Sequence, residues 1–153
     1  MTIHWCGTGL SAIPGLRRLI ETGRDVTVWN RTEAKARDAV GDLTDDIRAF
    51  DLDALAKALA PGDVVVSMLP GNWHVPLATQ AIAKGADFVS SSYISPEMGA
   101  LNASARDAGV RLVNEVGLDP GLDHLMAHDL VAAYKASDAF DASNALSFTS
   151  YCG

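Results

Sequence analysis

The 153-residue chain is short of basic charge, of cysteine and of long apolar runs, and each shortage excludes a class of function. Lysine and arginine number 12 against 19 aspartates and glutamates, a formal charge of −7. A duplex-binding surface needs a basic stripe to displace counterions, so no nucleic acid and no anionic membrane is expected as a partner. The longest apolar candidate, residues 64–69, is far too short to cross a bilayer. The opening Met1-Thr2-Ile3-His4-Trp5 has neither the basic flank nor the apolar stretch of a secretory signal. The two cysteines, Cys6 and Cys152, stand at opposite ends and form no CxxC pair. They make no disulfide framework, and a reducing, cytoplasmic setting is expected.

Apolar residues are plentiful at 48%, enough to build a core for one domain. Short β-branched runs alternate with Ala/Leu-rich stretches, the pattern of βαβ units around a parallel sheet. Strands are predicted over 2–6, 25–30, 47–50, 63–69, 87–91 and 111–115. Helices are predicted over 10–22, from the Thr32 cap to 40, over 52–59, from Pro76 through 77–84, from Ser95-Pro96 to 108, and from Asp119-Pro120 to 136. Six strands with helical crossovers make a doubly wound α/β domain of the Rossmann type, placed at 1–137. The tail reads differently: 138–144 is a polar linker, and 146–152 alternates like a strand. A lone strand with both edges open is marginal, so 138–153 is expected to begin a second, truncated substrate or dimerisation domain. Homodimerisation through that domain, or self-association of the exposed Leu146 and Phe148 region, follows as an expectation.

In open α/β sheets ligands bind beyond the carboxyl ends of the strands. After the first strand stands Gly7-Thr8-Gly9-Leu10-Ser11-Ala12. Gly7 permits the tight turn, Gly9 lets the backbone approach a pyrophosphate, and Ala12 packs helix on strand. The helix start then offers free N–H groups to phosphate. After the second strand, where an NAD site usually carries an acid for the ribose 2′-hydroxyl, this chain has Asn30-Arg31-Thr32. A guanidinium and a hydroxyl suit a 2′-phosphate, and Lys35 adds charge one turn on. NADP(H) is therefore the expected cofactor.

Other candidates weigh less. His124 and His128 have the spacing of a zinc pair, yet no Glu intervenes and no third ligand is evident, so no metal is expected. His4 reads as a satisfied core residue, and His74, just past a strand end, as a loop residue rather than one that approaches cofactor or substrate. Cys6 reads as packing, and Met98 and Met126 as core or domain-contact positions.

Four segments resemble the saccharopine dehydrogenase family in order along essentially the whole chain. They are Ser67-Met68-Leu69-Pro70, Val89-Ser90-Ser91-Ser92-Tyr93-Ile94-Ser95-Pro96, the stretch from Asn114 through Gly117-Leu118-Asp119-Pro120-Gly121 to His124, and Ser150-Tyr151-Cys152-Gly153. The glutamate-forming, saccharopine-reductase-like class is the nearer match. The resemblance implies a nicotinamide enzyme of lysine metabolism that makes or cleaves a secondary amine joining two amino-acid skeletons. It also implies a second domain after the Tyr-Cys-Gly strand that supplies much of the substrate site, so this piece alone is expected to do no chemistry. By position it implies phosphate contacts at Thr8, Gly9, Leu10 and Ser11, with the 2′-phosphate at Asn30, Arg31 and Thr32. Asp51 and Leu52 match adenine contacts, and Leu69 and Pro70 the ribose side. Ser91, Ser92 and Tyr93, with Leu118, Asp119 and Pro120, match the loops around nicotinamide and substrate. Ser92, Tyr93 and Asp119 are the substrate-binding candidates, and Asp119 is the one candidate for a catalytic part. Asp119 reads equally as a helix cap. Carboxyspermidine-type reductases share the domain and the NADP pattern, and a non-catalytic NADP-sensing module is the alternative from another class.

Overall fold

The computed structural model describes residues 1–151, in which six parallel strands form one sheet. The strands are β1 (Ile3–Cys6), β2 (Val26–Asn30), β3 (Ile47–Ala49), β4 (Val64–Ser67), β5 (Asp87–Ser90) and β6 (Leu112–Val113), in spatial order β3-β2-β1-β4-β5-β6. The helices are α1 (Ile13–Glu21), α2 (Glu33–Val40), α3 (Leu52–Ala58), α4 (His74–Lys84), α5 (Pro96–Ala100), α6 (Asn102–Asp107) and α7 (Leu122–Lys135), with one 3₁₀ turn over Gly71–Trp73. The order reverses between β1 and β4, which leaves a crevice at the carboxyl ends of the strands.

Strand side chains alternate between two cores because successive residues point to opposite faces. On one face Leu16 of α1 and Ala36 and Val40 of α2 pack on Val26, Val28 and Ile47, with Ile3 and Trp5 against them. On the other, Leu55 of α3 and Leu77, Ala78 and Ala81 of α4 cover Cys6, Trp29, Val65 and Phe88. Each large side chain so buried contributes about 1.5–3 kcal/mol of transfer free energy. Covering both faces is what parallel strands require, and it explains their nearly unbroken apolar runs.

His4 is a satisfied core residue as expected. Its Nδ1 accepts from Trp29 Nε1 at 3.1 Å, and its Nε2 lies 3.4 Å from Asp63 Oδ2. Asp63 also accepts from the backbone N–H groups of Thr2 and Ala60, so one carboxylate ties the start of β1 to that of β4. Cys6 is fully buried, and burial pushes its thiol up, as packing rather than nucleophilic use requires.

Several predicted boundaries move. The first helix begins at Ile13, not Leu10, because residues 10–12 form the turn that carries the chain out of the glycine loop. Thr32 stands at the N-cap of α2 with extended backbone, but its side chain makes no capping bond. The helix expected from Ser95 to 108 breaks at Leu101 into α5 and α6, with the weak helix former Gly99 just before the break. Ser95 does cap α5, its Oγ accepting from Met98 N at 3.1 Å. Asp119 is not a helix cap: α7 starts at Leu122 and Gly121 is its N-cap. Gly121, at φ +146°, abuts the Gly117 carbonyl so closely that no side chain fits there. His74 is the first residue of α4, not a loop residue. No strand forms in the described part of 146–152, where the chain has no neighbour to pair with, and Cys152 lies outside the described residues.

Candidate functional site

The glycine loop links β1 to α1. Gly7 has φ +106°, and a Cβ there would stand 2.7 Å from the Met68 carbonyl oxygen. The β1 and β4 ends can approach only because residue 7 has no side chain. Gly9 differs: a Cβ would meet no protein atom within 4 Å, so the space beside it is open. The backbone N–H groups of Gly9, Leu10 and Ser11 have no acceptor among the described residues, whereas Gly7 N donates to Trp29 O and Thr8 N to Asn30 Oδ1. Thr8 Oγ1 is buried and has no hydrogen-bond partner. A buried hydroxyl without a partner costs stability, so Thr8 carries an unmet hydrogen-bonding capacity beside the glycine loop.

A cleft of about 710 Å³ opens beside this loop. Its floor is Gly7, Thr8 and Gly9, and its far wall is Met68, Leu69 and Pro70 after β4. Asn30, Arg31, Thr32 and Lys35 line the end of β2, and Phe50, Asp51 and Leu52 follow β3. Asn30 differs from its expected role. Its Oδ1 accepts from Thr8 N at 3.3 Å and its Nδ2 donates to Thr32 O at 2.8 Å, so the amide braces the glycine loop against the turn that carries Arg31. Arg31 and Lys35 are exposed, and no carboxylate lies in salt-bridge range of either among the described residues. Asp51 is exposed and caps α3, accepting from Ala54 N at 2.8 Å. Leu10 and Ser11 do not line the cleft.

Sequence reasoning missed Trp73 and Phe50, which meet edge to face at 5.1 Å and add aromatic surface to the same cleft. Their signal was faint: one follows a strand by a single residue and the other sits in a short turn. Met68 was quoted only within a motif, yet its carbonyl sets the close approach at Gly7.

The remaining candidates gather at the ends of β4, β5 and β6, around a second hollow of about 200 Å³ lined by His74, Ser92, Tyr93 and Asn114 among others. Buried His74 contacts Ser67 Oγ through Nδ1 at 2.8 Å and Ser92 Oγ through Nε2 at 2.7 Å. Burial lowers its pKa and keeps the ring neutral. The Tyr93 hydroxyl donates to Asp119 Oδ1 at 2.5 Å. That carboxylate pushes the Tyr93 phenol up to about 12, so at neutral pH Tyr93 is a donor and not a base. Ser90 Oγ donates to Asn114 Oδ1, and Ile94 N to Glu115 Oε1. Pro120 is buried, while Leu118 is exposed and Ser91 half-buried. His124 is engaged by Asp123 at the surface, and among the described residues no cluster of three metal-ligating side chains occurs. Met98 is core, and Met126 is exposed.

A family model described as the saccharopine dehydrogenase NADP binding domain matches residues 5–113. The chain belongs to the saccharopine dehydrogenase family. It is an NADP-binding domain of that family. Saccharopine dehydrogenase [NADP(+), L-glutamate-forming] of Saccharomyces cerevisiae is 38% identical over 152 residues, covering 96% of this chain and 33% of that protein. The mitochondrial alpha-aminoadipic semialdehyde synthase of Bos taurus is 37% identical over 101 residues, 66% of this chain and 10% of that protein. Among solved structures, the apo L-Glu-forming saccharopine dehydrogenase of Saccharomyces cerevisiae superposes with a TM-score of 0.76 at 34% identity, over 87% of this chain and 31% of that one. The chain thus spans about a third of the length of the curated relatives it matches first. No helix among the described residues is long and apolar enough to cross a membrane.

Proposed function

We propose that this domain serves an oxidoreductase acting on the CH–NH bond of a secondary-amine amino acid of the saccharopine class, in lysine metabolism. The observation that supports it is a pair of hollows at the carboxyl ends of the strands: an open cleft lined by the glycine loop and by Arg31 and Lys35 together with Asp51 and Asp53, and a smaller hollow lined by His74, Ser92 and Tyr93, the last hydrogen-bonded to Asp119. When bound, NADP(H) accepts or donates a hydride at the carbon attached to the amine nitrogen. The cofactor contacts and part of the substrate contacts in this reading fall to the chain's own residues. The free N–H groups of Gly9, Leu10 and Ser11 and the Thr8 hydroxyl hold the pyrophosphate. Arg31, with Thr32 and Lys35, holds the 2′-phosphate as charge-assisted donors, while Asn30 fixes their turn. Asp51, Leu52, Leu69 and Pro70 flank the adenosine. Ser92 supplies a hydroxyl to a substrate oxygen. Asp119, paired with Tyr93, sets a negative charge where a protonated amine is stabilised. A second domain following residue 137 completes the substrate site.

The test is an assay of the complete protein with NADP+ and saccharopine, following NADPH absorbance and glutamate release together. Both products in equal amounts support the reading. NADPH binding with no turnover of saccharopine or any related amino-acid conjugate contradicts it and favours a sensor module.

A further inference from the structure

We propose that Ser67 and His74 are positioning residues that oblige the Ser92 hydroxyl to donate its hydrogen outward, to a ligand oxygen that bears none: a carboxylate or a carboxamide oxygen. The proposal rests on the reading above that loop 91–93 meets the reacting molecules. Ser67 ends β4 fully buried, and His74 opens α4 only 5% exposed. The chain of contacts runs from Ser67 Oγ to His74 Nδ1 at 2.8 Å and from His74 Nε2 to Ser92 Oγ at 2.7 Å. A neutral imidazole carries one ring hydrogen, so two arrangements exist. In one, Nδ1–H donates to Ser67. The Ser67 hydroxyl hydrogen then sits in the core without an acceptor, because His74 is the sole hydrogen-bond partner of Ser67 Oγ among the described residues. In the other, the Ser67 hydroxyl donates to Nδ1 and Nε2–H donates to Ser92. Stranding a buried hydroxyl is costly enough to favour the second arrangement by roughly tenfold or more.

The buried serine therefore gives the chain its direction. Ser92 Oγ receives the histidine hydrogen, and its own hydrogen has no protein acceptor among the described residues. Ser92 is half-buried at the wall of the smaller hollow, so the remaining bond is available to whatever enters there. A ligand oxygen carrying its own hydrogen would gain less at this position than one that only accepts.

The first arm is ¹⁵N NMR of histidine-labelled complete protein at neutral pH, with the His74 signal assigned by its loss in His74→Gln. An Nε2–H tautomer with Nδ1 as acceptor is expected; an Nδ1–H tautomer or an imidazolium overturns the proposal. This arm needs no substrate, so it stands or fails apart from the saccharopine assay. The second arm is Ser92→Ala. It is expected to raise either the KM for saccharopine or the Kd for NADPH by roughly 10- to 100-fold, with a smaller change in kcat and rescue by Ser92→Thr. A rise for saccharopine identifies the acceptor as the substrate carboxylate, and a rise for NADPH as the nicotinamide carboxamide. If neither moves, the proposal is wrong. Ser67→Ala, which removes only the distant donor, is expected to reproduce part of the same rise.

Discussion

The two ends of the crevice treat polar groups in opposite ways. At the ends of β1 and β2 the hydroxyl of Thr8, three loop N–H groups and the charges of Arg31 and Lys35 stand without protein partners among the described residues. At the ends of β4, β5 and β6 nearly every polar side chain is engaged by another: Ser67 and Ser92 with His74, Tyr93 with Asp119, Ser90 with Asn114. The first end leaves its polar and cationic groups unpartnered, as our proposed site for the cofactor's phosphates requires. The second is already internally paired. Preorganised donors cost little to reorient when a ligand arrives, whereas open cations gain most from one.

The two glycines of the loop give the sharpest way to break this contrast. Gly9→Val places carbon in the open space where no protein atom is near, so urea stability should hold within about 1 kcal/mol. NADPH affinity should fall on the order of 100-fold, about 2.7 kcal/mol, because the backbone can no longer approach the pyrophosphate. Gly7→Ala should do the reverse. Its Cβ meets Met68 O and the positive φ is strained, so stability should drop by about 2 kcal/mol in a urea titration. A Gly9 variant that unfolds while keeping affinity would invert the account.

A smaller effect tests the ordered end. His4 and His74 both have pKa values lowered from the ordinary 6.5, burial being the largest cause in each, with Asp63 opposing it at His4. The unfolded chain therefore binds protons near that value while the folded chain does not. Stability from both groups is full above 6.5 and is lost as pH falls below it. The urea midpoint should decline from about pH 7.5 to 5.5, and His74→Gln should flatten part of that decline. A midpoint that rises over this interval would mean the rings are paired as cations.

Much of the fold was legible because it depends on patterns that composition carries directly. The near-continuous apolar run of β4 suited a central parallel strand, and Gly7-Thr8-Gly9 after β1 announced the loop. Local chemistry was less legible where tertiary contacts choose a residue's partner. Asp119 precedes a proline as a cap would, but the turn from Gly117 to Gly121 diverts the chain and leaves its carboxylate to Tyr93. His74 looked like a loop residue because the 3₁₀ turn before it has no sequence signature, and its two serine partners lie 7 residues before and 18 after it. The alternating tail read as a strand on pattern alone, yet a strand exists only with a neighbour, which no local pattern reveals. The exposed apolar face of α7, with Leu122, Leu125, Met126 and Leu130, belongs to the same lesson: the Asp119-Pro120 entry foretold the helix but not what stands beside it.

The central claim is that Arg31, at the end of β2, is what reads the 2′-phosphate. Calorimetric titration of the complete protein with 2′,5′-ADP and with 5′-AMP tests it on the adenosine half alone. The wild type should prefer the doubly phosphorylated compound by tenfold or more. Arg31→Ala should lose about 1.5–3 kcal/mol toward it and bind 5′-AMP nearly as before, erasing most of the preference. Equal losses for both compounds, or a preference that survives the substitution, would place the phosphate elsewhere and contradict the account.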